Sequence, residues 1–153
     1  MKRIVIMNCI TISLIVILSY ISTPDNQTLA NHYLLIGFGS VIAFMTFLWI
    51  ISLLVKDASI VDIFWGPAFI VLGSSLLISM DQVYSERSLF ILFLVSLWAI
   101  RLASHIGFRN IGHGEDFRYV EWRNESGKSY WWHSFIRVFL LQGSLCTLVG
   151  VSI

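Results

Sequence analysis

Three groups of residues in this chain of 153 have types and spacings suited to chemistry. The densest is the run from Arg109 to Arg123, RNIGHGEDFRYVEWR. Written as a short helix from Gly114 to Arg123, it puts Asp116, Tyr119 and Arg123 on one face, at i, i+3 and i+7. Glu115, Arg118 and Trp122 form the neighbouring stripe, and Phe117 and Val120 point the other way, toward the bilayer or toward helix ends. Guanidinium groups stay charged and grip phosphate with a two-pronged fork. Carboxylates beside them hold the arginines in place or accept from ribose hydroxyls, and an aromatic ring stacks on a base. The arc therefore suits a dinucleotide. The same spacing equally suits an amphipathic helix lying on a membrane and laced with weak salt bridges.

The second group is Arg101, His105 and Arg109, at i, i+4 and i+8. Either these cations snorkel toward the headgroups, or they point into the same pocket as the polar run. The third is Asp62 in KDASIVDIFWGPAF. A carboxyl about one turn inside an apolar stretch is costly and normally faces a bundle interior. Asp62 could bind a cation, donate a proton, pair with Arg101, or serve only as a structural ion pair. Gly66 and Pro67 follow, where the helix is expected to loosen. No metal site is expected: His32, His105, His113 and His133 lack ligand spacing, and His113-x-Glu115 is not followed by the Pro-Cys-x-x-Cys of a zinc deaminase. Cys9 and Cys146 lie in apolar runs and read as small buried hydrophobes.

The elements that must carry these groups follow from composition. Hydrophobic residues make up 57% and charged residues 12%, against roughly 45–50% and 25% in soluble domains. Mean hydropathy is +0.80. So small a soluble domain cannot hide this much apolar surface, so soluble enzymes, disordered chains and secreted disulfide scaffolds are excluded. A net charge of +1 argues against nucleic acid as a partner. Five apolar runs approach the roughly 20 residues that cross a bilayer: residues 4–22, 33–55, 60–80, 88–108 and 135–153. The first reads as a membrane span rather than a signal peptide, because no small-x-small cleavage site follows it. With the N-terminus cytoplasmic, Lys2, Arg3, Lys56, Arg109, Arg118, Arg123 and Lys128 all face the cytoplasm, and Arg87 falls on the far side. Trp131 and Trp132 read as an aromatic belt. The expected fold is all-α: a polytopic membrane bundle of about five helices forming one domain, with membrane lipids around it and residues 109–134 as a polar cytoplasmic loop.

The segments VDIFWGPAF, LWAIRLASHIGFRN, GEDFRYVEWR and LLQG, in this order, resemble the DUF1295 family, membrane proteins related to the steroid 5-alpha-reductases. The resemblance covers about residues 58–153, and the spans 4–22 and 33–55 match only in kind. It implies a helical bundle that binds NADPH from the cytoplasmic side and reduces a carbon–carbon double bond conjugated to a carbonyl in a lipid-like substrate such as a sterol. Hydride goes to the β-carbon while an acid polarises the carbonyl oxygen. The resemblance also implies Asp116, Arg118, Tyr119 and Arg123 as cofactor residues, with Arg109 as a phosphate contact. Asp62 is the implied catalytic candidate, polarising the substrate or orienting its partner, although the reductases' glutamate–tyrosine pair has no counterpart assigned here. Family members are nearly twice as long and carry an Arg-His-Pro-Asn-Tyr type stretch that completes the cofactor site. Its absence from this sequence leads us to expect the N-terminal half of such a reductase, inactive alone and either truncated or completed by a separate C-terminal half. Two alternatives stay open: a non-catalytic membrane protein binding a lipid or partner, and a fragment of an isoprenylcysteine-methyltransferase-like enzyme.

Overall fold

The computed structural model describes residues 27–79 and 85–150, together with Ile10 and Ser13. The expected span 4–22 and Cys9 therefore lie outside the described residues. Three long helices come first: α1 (Gln27–Val55), α2 (Ile60–Ser79) and α3 (Glu86–Asn110). A short helix, α4 (Phe117–Ser126), follows, and a 3₁₀ turn (Gly127–Ser129) leads into α5 (Tyr130–Ser134). A π-helical stretch (Phe135–Leu140) then passes into α6 (Leu141–Gly150). No strand occurs among the described residues.

Among the described residues, four helical stretches are long and apolar enough to cross a membrane: Asn31–Val55, Ile60–Ser79, Glu86–Asn110 and Phe117–Gly150. The protein is thus a helical membrane bundle. In the fourth stretch the polar α4 belongs at the surface, and the apolar crossing falls on the part after it. The polar stretch is therefore not a loop, as its charge suggested, but mostly helix that runs on into the last crossing.

Helix ends follow local chemistry. Ser85 caps α3, its hydroxyl accepting from the Ser88 amide at 3.1 Å. Glu86 in the first turn and Arg109 in the last suit the helix dipole. Hydroxyls inside the spans satisfy themselves on backbone carbonyls, as Ser144 does on Leu140 and Thr147 on Gly143. Ser40 of α1 also donates across to Ser75 of α2, at 2.8 Å.

The core lies between α1, α2 and the last crossing. Val41, Met45 and Leu48 of α1 meet Val61, Ala68, Phe69 and Leu72 of α2 and Val138, Phe139 and Cys146 behind them. Close approach depends on small residues. A Cβ on Gly66 would lie 3.0 Å from the Ala99 carbonyl oxygen of α3, and one on Gly143 would lie 3.0 Å from the Ile42 side chain. Outside that seam α3 is nearly bare. Ala99 is its buried residue, while Phe90, Phe93, Leu94, Leu97, Trp98 and Ile100 are exposed along it.

Candidate functional site

One end of the bundle gathers most of the charge. The α1–α2 corner is built first. Lys56 adopts the left-handed conformation (φ 58°) that ends α1. The Asp57 amide donates back to the Ser52 carbonyl at 3.1 Å, and its carboxylate accepts from the amide and hydroxyl of Ser59. This turn sets the start of α2, with Asp62 in its first turn.

After α3, Gly112 and Gly114 both take positive φ (80° and 69°), a conformation that side chains disfavour. They swing the chain back over the corner. Helix α4 then begins at Phe117, not at Gly114. Asp116 is its N-cap, accepting from the Arg118 amide at 3.0 Å. The expected helix Gly114–Arg123 is thereby corrected. The glycine turn and the capping aspartate hold residues 114–116 outside helical pitch, so Asp116 does not share a helical face with Tyr119 and Arg123.

Two arginine forks result. Arg118 sends Nε to Asp116 Oδ1 at 3.0 Å and Nη2 to Asp116 Oδ2 at 3.1 Å. The same Nη2 reaches Asp62 Oδ2 at 3.2 Å. The Tyr119 hydroxyl donates to Asp62 Oδ1 at 3.0 Å, and that ring is buried. Arg123 sends Nε and Nη2 to the two oxygens of Glu115, at 3.1 and 2.7 Å. Glu115 Oε1 also accepts from the Ala58 amide at 2.8 Å, while Arg123 Nη2 donates to the Lys56 carbonyl at 3.0 Å. The Arg123 guanidinium lies over the Tyr130 ring at 4.3 Å. Further out, Arg137 packs over Trp122 at 5.4 Å and pairs with Glu125 at 3.6 Å.

The electrostatics match this wiring. Hydrogen bonds from Arg118 hold the Asp116 carboxyl below its ordinary range, and the charges of Arg118 and Arg109 add to the effect. Arg118 keeps half its side chain exposed, at 51%. Its Nη1 has no hydrogen-bond partner among the described residues. Arg109 is exposed, and its Nε donates to the neighbouring Asn110 at 3.5 Å. No group of three metal-ligating side chains occurs among the described residues.

The structure thus brings Asp62, Asp116, Arg118, Tyr119 and Arg123 to one corner, with Arg109 near enough for its charge to be felt. Arg101 and His105 stay apart, and Asp62 pairs with Arg118 rather than with Arg101. Glu115 is the residue whose role sequence reasoning missed. The signal was present in the two glycines bracketing His113, which mark a turn rather than a helix start.

A polytopic helical bundle with a charged clasp at one end is the class these features define. Residues 48–153 match the family model described as a protein of unknown function, DUF1295, and the chain belongs to that family. The match begins ten residues earlier than the motifs alone suggested, and so takes in the end of α1. Neither a curated protein nor a solved structure matches the chain.

Proposed function

We propose that this chain forms the anion-holding part of an NADPH-dependent membrane reductase acting on a conjugated double bond of a steroid-like or other lipid substrate. One observation carries the reading. Arg118 is fixed by two carboxylates yet keeps an uncommitted Nη1 at a half-exposed surface. A guanidinium with no need to reorganise is what phosphate recognition favours. The exposed Arg109 adds a second cation. The residues present fit the phosphate portion of the cofactor, with Arg118 and Arg109 as contacts. Asp116 and Asp62 orient Arg118, Tyr119 supports Asp62 from the buried side, and Arg123 holds α4 against the corner. Bound there, NADPH would supply the hydride. Asp62 is the chain's catalytic candidate, a carboxyl held between Arg118 and the buried Tyr119 at the corner. The basic end faces the cytoplasm in this reading, following the bias of Lys56, Arg109, Arg118, Arg123 and Lys128.

A second reading, a non-catalytic bundle that binds a lipid or partner, draws on the Glu115–Arg123 fork. There one of the cationic groups is fully committed to internal structure. Titration of NADPH into detergent-solubilised protein, with the remainder of the enzyme supplied, separates the two. The reductase reading expects saturable NADPH binding, weakened at least about tenfold by Arg118→Ala, the loss of a charge-assisted contact. Binding of S-adenosylmethionine alone, or of neither ligand, would refute it.

A further inference from the structure

Helix α3 carries two basic residues, Arg101 and His105, that the site does not use. Ala99 faces α2 and is fully buried. At roughly 100° per residue, Arg101, His105 and Arg109 lie about 200°, 240° and 280° round from it. They share that outer arc with the exposed Phe90, Leu94 and Trp98. Arg101 and His105 are exposed and have no acidic partner among the described residues. By contrast, Asp62, Glu115 and Asp116 are each already engaged by Arg118 or Arg123.

Depth makes this unusual. Gly66 abuts Ala99, and a Cβ on Gly107 would lie 4.0 Å from the Ile63 side chain. The antiparallel register therefore sets Arg101 about level with Gly66, roughly one turn deeper in the bundle than Asp62. The helix ends at Asn110, nine residues further on, roughly 13 Å at 1.5 Å per residue. A guanidinium at that depth on a lipid-facing arc needs an anion or water drawn in beside it. Four residues above, His105 offers a further N–H donor on the same stripe.

We propose that Arg101 and His105 form a binding site for the phosphate of an anionic phospholipid seated against the outer face of α3. The ligand is a membrane phosphodiester rather than a soluble one because the stripe opens toward the surface that carries Phe90, Leu94 and Trp98. Each cation near a headgroup is worth roughly 1 kcal/mol, which converts to about a fivefold preference. This inference does not rest on the reductase reading.

The test uses the full chain in vesicles containing either phosphatidylglycerol or phosphatidylcholine with brominated acyl chains, at equal mole fraction. Trp98 lies on the same arc, one turn from Arg101, and the difference in quenching between native protein and Trp98→Phe isolates its signal. The expected result is occupancy by phosphatidylglycerol at least about fivefold above phosphatidylcholine. That preference should fall to about one in the Arg101→Gln, His105→Gln double variant and survive in Arg101→Lys. Equal quenching by both lipids in the native protein would overturn the proposal. So would loss of the preference on adding NADPH, which would assign the stripe to a soluble phosphate ligand. NADPH binding could fail altogether with the lipid preference intact, so the two readings stand or fall separately.

Discussion

Replacing Glu115 with alanine removes the residue that ties three pieces of chain together. The side chain is 10% exposed and holds both prongs of Arg123 as well as the Ala58 amide. Its loss leaves the Ala58 N–H without a partner, at a cost of about 1–3 kcal/mol if water cannot reach it. It also leaves the Arg123 guanidinium without its counter-charge. Breaking a fully buried pair costs about 3–5 kcal/mol, but Arg123 is 34% exposed, so solvent recovers much of that. The sum is about 2–4 kcal/mol for Glu115→Ala. Glu115→Gln retains an acceptor for Ala58 and loses only the charge, so about 1–2 kcal/mol is expected. Unfolding in detergent should report both, and a double-mutant cycle with Arg123→Ala should give a coupling above about 1 kcal/mol. Proteolysis between Ile111 and Asp116 should accelerate in the same order. A coupling below about 0.5 kcal/mol, or identical behaviour of the alanine and glutamine variants, would refute the clasp.

Three further outcomes follow from the geometry. Gly66→Ala forces a methyl toward the Ala99 backbone, which cannot yield as a flexible side chain does, so α2 and α3 should separate at a cost of about 1–3 kcal/mol, read by thermal unfolding; an unchanged midpoint would argue against the seam. The Asp116 carboxyl is held below its ordinary value of 3.8, so its contribution is fully present above that pH and fades as pH falls through the lower folded value. Acid titration of stability should therefore flatten below about pH 4 in Asp116→Asn, which keeps a helix cap while losing the charge, and an unaltered acid limb would count against the fork. In cofactor titrations Arg118→Ala should weaken binding while Glu121→Ala, exposed and outside both forks, should leave it within about twofold; equal effects would dissolve the assignment of Arg118 as the contact.

The membrane spans were readable because apolar runs of this length have few other fates. Core-facing positions were less so. In a bilayer both faces of a helix are apolar, and nothing in the composition of α3 separates the buried Ala99 from the exposed Leu97 or Ile100. At the charged end, the choice of residues was legible and their wiring was not. Helical pitch grouped Tyr119 with Arg123, both of which face the corner. It failed at Asp116, because a residue that caps a helix does not obey the pitch of the helix it caps. The partnership of Glu115 with Ala58, 57 residues apart, involves a backbone amide that no side-chain pattern announces. Asp62 and Tyr119 were each marked by type, but their union waited on the turn made by Gly112 and Gly114.

The corner also bears on the order in which the protein is made. The hydrogen bonds that Glu115, Arg118 and Tyr119 make with the α1–α2 corner go to Ala58 and Asp62, residues synthesised well before them, and Arg123 likewise reaches back to Lys56. Once the α1–α2 hairpin is threaded into the bilayer, the newly emerged α4 meets finished receptors for its charges. The clasp can therefore close as soon as α4 emerges, without waiting for the apolar helix that follows it.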